Sequence, residues 1–370
     1  MSLLENLIKK HCPDGVEYKK LYEVISILDN LRKPVSKDKR TKGIYPYYGA
    51  NGIQDYVDNY IFDGTFILMG EDGSVINKDN SPVLNWASGK IWVNNHAHVL
   101  FNDNINTLRF IFYYLQTIDI SNIVRGTPPK INQQNLRNIE IPLPPIEIQK
   151  EIVRILDEFT LKTTELQELL HKEYISRKKQ YEYYRDKLLT FGDDVEYRKI
   201  SDILTIKSGN NKIKKQEGKY PVYGSTGIIA YSDDYVFNEP NILIARVGVN
   251  AGYIHIANGL YDVSDNTLIV TNININIHFK YMYYILINAR LNNYIKGGGV
   301  PLITAGQIKN ILIPVPPLEE QERIVKILDR FDALCNDISS GLPAEIEMRK
   351  KQYEYYRDKL LTFKEKKIKE

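Results

Sequence analysis

The stretch Arg177-Lys-Lys-Gln-Tyr-Glu-Tyr-Tyr-Arg-Asp-Lys-Leu-Leu-Thr-Phe191 occurs again, without one change, as Arg349 to Phe363, 172 residues further along the chain. Identity at a fixed offset over that length marks an internal duplication, and it organises the rest of the sequence. The same offset relates Pro144-Pro-Ile-Glu-Ile-Gln-Lys-Glu-Ile-Val-Arg-Ile-Leu-Asp-Glu-Phe159 to Pro316-Pro-Leu-Glu-Glu-Gln-Glu-Arg-Ile-Val-Lys-Ile-Leu-Asp-Arg-Phe331, so the matched block runs ungapped from 144 to 191. Ahead of each block the likeness thins to patches: Tyr45-Pro-Tyr-Tyr-Gly49 against Tyr220-Pro-Val-Tyr-Gly224, and Gly15-Val-Glu-Tyr-Lys-Lys-Leu21 against Asp194-Val-Glu-Tyr-Arg-Lys-Ile200. Each repeat is a variable globular part followed by a nearly invariant segment, and the two parts are expected to do different work.

Between Pro145 and Gly192 there is no Gly, Pro or Asn, and Ile152, Leu156, Phe159, Leu166, Leu170, Tyr174, Tyr181, Tyr184 and Leu188 recur at three-or-four spacing. That pattern predicts one amphipathic helix of about 45 residues and about 68 Å, started by the double proline and stopped at Gly192. Its apolar stripe needs a partner, and the second copy supplies a matching one; antiparallel pairing would give the halves pseudo-two-fold symmetry. Gly341-Leu342-Pro343 interrupts the second copy, where a break is expected, with Pro343 starting a new helical segment.

The variable parts hold short β-branched and aromatic runs, among them Phe66–Met69, Ile91–Val93, Val99–Phe101, Asn241–Ala245 and Leu268–Thr271, separated by Gly, Asn and Asp turns. One late helix is expected in each, at Leu108–Gln116 and Phe279–Asn288. The expected fold is α+β: globular parts at 1–143 and 192–315, separated by conserved helical spacers at 144–191 and 316–370 that pack as an antiparallel coiled coil.

The 370 residues allow two or three domains. Hydrophobic residues at 43% and charged residues at 26%, with no apolar run near eighteen residues, argue against a membrane span. The N-terminus lacks a secretory pattern, and two cysteines, Cys12 and Cys335, make no disulfide framework, so a cytoplasmic protein is expected. Lys and Arg (49) nearly balance Asp and Glu (46), so any nucleic-acid affinity must come from local basic stripes. Tyrosine is abundant, at 27 residues, which suits interfaces as readily as cores.

Catalytic constellations are missing. Ser88-Gly89-Lys90-Ile91 lacks the first glycine and the hydroxyl of a phosphate loop. The pairs in Thr127-Pro-Pro-Lys130, Leu143-Pro-Pro-Ile146 and Val315-Pro-Pro-Leu318 do not form the Asp/Asn/Ser-Pro-Pro-aromatic motif of DNA amino-methyltransferases. His96 and His98 stand two apart without a nearby Cys, a weak metal signal. What remains is basic loops at equivalent places, Arg32, Lys33, Lys37, Lys39, Arg40 and Lys42 against Lys212, Lys214, Lys215 and Lys219. Glycine-bearing turns, Arg125-Gly-Thr-Pro-Pro129 and Gly297-Gly-Gly299 before Pro301, offer backbone amides to a phosphate.

The PP-[IL]-E-x-Q-x-x-IV-x-ILD-x-F helix start, the QYEYYRDKLLTF helix end and YP-x-YG near the front of each unit resemble the specificity subunit of Type I restriction-modification systems over essentially the whole chain. The resemblance implies a non-catalytic subunit with two target recognition domains, each reading one half of a split, asymmetric site in double-stranded DNA. It implies methyltransferase subunits, two in number, docked on the helical regions, and restriction subunits that join them. S-adenosylmethionine, ATP and Mg would be bound by those partners and no cofactor by this chain. Direct DNA contacts are then expected from Arg32, Lys33, Lys42, Lys90, Asn94, Arg125 and Lys130 in the first unit and from Lys212, Lys214, Arg246, Asn250, Lys296 and Thr304 in the second. Arg246 leads that set, because it ends a strand before a glycine loop and arginine pairs with guanine through two hydrogen bonds. The competing reading is a coiled-coil scaffold without sequence-specific DNA binding, which leaves two equivalent basic-loop domains unexplained.

Overall fold

The structure is a computed structural model that describes residues 3–212, 217–271, 273–295, 300–336 and 342–366. Its principal helices are α1 (Leu3–His11), α2 (Ile105–Leu115), α3 (Ile146–Leu188), α4 (Phe279–Asn288), α5 (Leu318–Asn336) and α6 (Leu342–Leu361). The chain divides into two compact units, Met1–Glu168 with Glu347–Glu370, and Leu169–Ile346. Compactness thus cuts across the expected boundaries at 144 and 316. The physical reason is that each globular part buries the apolar start of one invariant block and the end of the other.

In the first unit, six strands form one sheet: β1 (Ser26–Ile27), β2 (Lys42–Gly49), β3 (Gly52–Val57), β4 (Phe62–Gly70), β5 (Leu84–Val93) and β6 (Ala97–Phe101), in the order β1-β6-β4-β5-β2-β3. The Tyr-Pro-x-Tyr-Gly motif enters the β2–β3 hairpin. Gly49 lies opposite Gly52, Gly52 takes φ +98°, and a Cβ on Gly49 would meet the Gln54 side chain at 2.1 Å. Gly52 is required by its positive φ, whereas a Cβ on Gly49 would displace the end of the Gln54 side chain. Ile67, Met69 and Leu100 of the sheet, Leu108, Phe110 and Ile111 of α2, and Ile148, Ile152 and Leu156 of α3 share one core with Leu361 of α6. Each such side chain contributes about 1.5–3 kcal/mol by burial. Helix α2 begins at Ile105, ahead of the expected Leu108, because the Asn104 side chain accepts hydrogen bonds from the amides of Asn106 and Thr107.

Helices α3 and α6 pair antiparallel within this unit. Phe159 stacks on Tyr353 at 6.2 Å and Thr160 meets the Tyr353 hydroxyl at 3.0 Å, while Leu156 shares a groove with Leu360 further along α6. Beyond α6 the chain runs parallel to Val16, whose amide donates to the Lys364 carbonyl at 2.8 Å and whose carbonyl accepts from Lys366 at 3.0 Å.

The second unit repeats the plan. Strands β7 (Thr205–Ser208), β8 (Tyr220–Gly224), β9 (Gly227–Ser232), β10 (Asn241–Ala245), β11 (Ile254–Ala257), β12 (Asp262–Val263) and β13 (Thr267–Thr271) form two sheets, β7-β13-β10-β11 and β9-β8-β12. The long β5 of the first unit belongs to both parts of its sheet. Its counterpart is divided into β11 and β12 by a turn through Gly259 at φ +83°. The hairpin recurs with Gly224 opposite Gly227 at φ +95°. Here α5 packs on the end of α3, Tyr184 stacking on Phe331 at 5.8 Å, the same pair of repeat positions that places Tyr356 5.9 Å from Phe159 in the first unit.

The fold is the expected α+β duplication with a long central helix, and all five strand runs fall within strands of the structure. The second invariant block is two helices, α5 and α6, with Pro343 in the first turn of α6; residues 337–341 lie outside the described residues. Among the described residues, no helix is long and apolar enough to cross a membrane.

Candidate nucleic-acid interface

The Ile-Leu-Asp of each invariant block mounts a globular domain on its helix. Asp157 Oδ1 accepts hydrogen bonds from the Tyr113 hydroxyl at 2.6 Å and from Arg109 Nε at 2.9 Å. Asp329 accepts from the Tyr284 hydroxyl at 2.6 Å and from Lys280 Nζ at 2.7 Å. Burial, reinforced by the bond to Asp157, pushes the Tyr113 hydroxyl up to about 12. The same two causes raise Tyr284. Both phenols therefore remain donors, and charge-assisted bonds of this type are the stronger class. The same joint is built twice, while the loops it carries differ.

Those loops meet at equivalent notches. In the first unit the turn after β4, Gly70-Glu71-Asp72-Gly73, is tied to the proline turn by hydrogen bonds from Gly73 N to Pro129 O (2.9 Å) and from Ile131 N to Glu71 O (2.9 Å). In the second, Ala245-Arg246-Val247-Gly248 is tied by Gly248 N to Pro301 O (3.0 Å) and Ile303 N to Arg246 O (2.9 Å). The bridges Asp72–Lys130 and Val247–Leu302 complete the match. Glu71 thus corresponds to Arg246 and Lys130 to Leu302.

Of the expected contacts, Arg125 and Lys130 lie exposed at the first notch, and the second notch holds Arg246. Arg246 is half-buried, and its Nε is sealed from solvent with no hydrogen-bond partner among the described residues. Asn250 donates to the Ser225 carbonyl at 3.4 Å. Lys33, Lys42, Lys90 and Lys212 are exposed. Lys90 belongs to a different patch, over the Tyr60 ring at 4.7 Å, with Tyr60 packed on Tyr45. Lys214 and Lys296 lie outside the described residues.

Three expected contacts have their hydrogen-bond partners within the domain. The Arg32 side chain is 11% exposed and is used up by Glu71 Oε2 (2.5 Å), the Ala97 carbonyl (2.8 Å) and the Asp29 carbonyl (3.0 Å). Asn94 is buried, donating to Gln54 Oε1 at 3.2 Å and accepting the His96 amide at 2.8 Å. Thr304 is a helix N-cap in a reciprocal capping box with Gln307. The Thr-x-x-Gln spacing is the sequence signal for that role. Sequence reasoning missed Glu71, whose position opposite Arg246 emerges only when the two repeats are laid over one another at β4 and β10.

Asp29, Glu71 and His98 place three donor atoms within 4.8 Å of one another. The chemistry there is ion pairing. Both ring nitrogens of His98 face acceptors, Asp29 Oδ2 at 2.6 Å and the Ile131 carbonyl at 3.0 Å, and Arg32 pairs with both carboxylates. Burial pushes the Asp29 carboxyl up, but His98, the Val99 amide and Arg32 outweigh it and hold the group below its ordinary value. The donors are saturated by protein, and the cluster fixes the turn that carries Glu71.

Two equally mounted domains with unlike notches make this a duplicated protein whose constant helices carry two variable surfaces. The chain belongs to the type I restriction modification DNA specificity domain family, which matches it twice, over residues 13–174 and 192–348. It is a non-catalytic component for sequence-specific DNA recognition in a restriction-modification complex. It is 37% identical over 371 residues to a type I restriction enzyme specificity subunit of Haemophilus influenzae, covering 94% of this chain and 96% of that one. It is 36% identical to the EcoR124I/EcoR124II specificity subunit of Escherichia coli, covering 71% and 72%. A solved structure from a study of complex assembly in the type I restriction-modification system superposes with a TM-score of 0.64 at 15% identity, covering 94% of this chain and 98% of that one. That likeness supports the fold.

Proposed function

We propose that the two globular domains read the two halves of a bipartite, asymmetric site in double-stranded DNA. On this reading the invariant helical blocks receive two methyltransferase subunits, one per block, and restriction subunits complete the assembly. S-adenosylmethionine, ATP and Mg belong to those partners, and the complex works in the cytoplasm. The observation that carries the reading is the pairing of an identical joint, Asp157 with Tyr113 and Asp329 with Tyr284, with dissimilar notch residues, Glu71 and Lys130 against Arg246 and Leu302. A constant mount with variable loops gives two readers of different preference. Hydroxyl-radical footprinting of the assembled complex tests it: two protected segments separated by an unprotected spacer are expected. A single contiguous footprint would contradict two separate readers, and native mass spectrometry should find two methyltransferase subunits per chain.

A further inference from the structure

Among the described residues, the matched positions of the two notches carry a cation on opposite walls, with Arg125 beside Lys130 in the first. In the second unit it is Arg246 on the strand-end turn, next to the Val247–Leu302 bridge. In the first unit the strand-end position is acidic, Glu71, and the cation is Lys130 on the proline turn. The Glu71 carboxylate is shared in a directed way. Its Oε2 faces inward to Arg32 at 2.5 Å and His98 at 3.6 Å, while Oε1 takes the Lys130 ammonium at 3.2 Å. The Glu71 side chain is 13% exposed and Lys130 51%, so a buried network holds an exposed cation in place.

We infer that Lys130, oriented by Glu71, is the first domain's counterpart of Arg246, and that each reads a guanine edge in its own half-site. This rests on the DNA-reading function proposed above. The carboxylate argues for a base and against a phosphate. Phosphate contact draws its affinity from net positive charge and counterion release, which pairing Lys130 with Glu71 would cancel. A base edge is uncharged and is read by direction, and a donor whose orientation is fixed and whose charge is balanced suits that task. Glu71 is then a positioning residue and Lys130 a specificity-determining one.

The test uses the complete complex with its methyltransferase partner, mapping methylated adenine on random-sequence DNA by single-molecule sequencing, for the parent and for Lys130→Ala, Glu71→Gln and Arg246→Ala. Lys130→Ala and Glu71→Gln should relax the same base in one half of the motif by about tenfold or more. Arg246→Ala should relax one in the other half, with assembly on the methyltransferase intact. Lys130→Ala alters an exposed side chain, so the inference stays testable if Glu71→Gln fails to fold. The salt dependence of binding adds a readout that a structural role would not move. A slope lowered by about one in Lys130→Ala with the motif intact would make Lys130 a phosphate contact and overturn the inference. A parent motif unchanged in both Lys130→Ala and Arg246→Ala would overturn it as well, whereas a parent complex without any motif would overturn the DNA-reading function itself.

Discussion

Replacing Gln321 with methionine should destabilise the second unit far more than the equivalent Gln149→Met destabilises the first. Both glutamines sit in the Pro-Pro-x-Glu-x-Gln signature and are buried. Gln321 Nε2 donates to the Pro316 carbonyl at 2.8 Å and the Asn276 carbonyl at 3.0 Å, and its Oε1 accepts the His278 amide at 2.8 Å. Gln149 Nε2 donates only to the Pro144 carbonyl at 2.7 Å, and its Oε1 is buried without a partner among the described residues. Methionine has nearly the same shape and removes these bonds without opening a cavity. At about 1–3 kcal/mol for each of the three polar groups left unsatisfied, Gln321→Met should cost about 3–9 kcal/mol. In Gln149→Met the stranded Pro144 carbonyl is offset by removal of an oxygen that was already unsatisfied, for a net change within about 1 kcal/mol. Native-state hydrogen exchange resolves the two units separately: protection in 273–295 and 318–331 should fall by about a hundredfold or more for the first variant, since each 1.4 kcal/mol is a factor of ten. Equal losses for the two variants would refute the reasoning.

Asp329→Asn should weaken the joint to α4 by about 1.5–3 kcal/mol, because it removes the charged acceptor of the Tyr284 and Lys280 bonds; urea unfolding followed on the second unit checks this. Arg32→Ala should destabilise the first unit by about 3 kcal/mol by removing the buried guanidinium that Asp29 and Glu71 share, with loss of folded protein rather than a selective loss of DNA affinity, as read by thermal melting. Asp29 titrates below its ordinary value, so its stabilisation of the first unit is complete above about pH 4 and is lost as pH falls through the folded value; an Asp29→Asn variant should show a flatter acid limb. His255 is pushed down by burial, so the second unit should lose stability as pH falls below about 6.5, the ordinary value for histidine, and His255→Phe should abolish that slope in urea midpoints between pH 7.5 and 5.

The helices were legible because their information is local. Periodicity and the absence of helix breakers over 146–188 specify a helix whatever surrounds it, and Pro343 marks a new start by its own chemistry. Strand runs were legible for the same reason, but not that β5 would be continuous and its counterpart split, which turns on Gly259. The interface was harder. Lysines and arginines in loops look alike in sequence, and what separates Arg32 from Lys130 is a network joining positions 29, 71, 98 and 130 across the fold. Asn94 and Thr304 differ in how far sequence shows their partners. The first is buried by distant contacts, whereas the second carried a capping signature that a closer reading of Thr304 to Gln307 reveals.

The central claim is that this chain decides where DNA is methylated. It is tested most directly by mapping methylated adenine genome-wide in a host that expresses the gene with its methyltransferase partner and in the same host lacking only this gene. One bipartite motif is expected to disappear with the gene while all other methylation stays. An unchanged methylome in a host that makes the intact complex would contradict it.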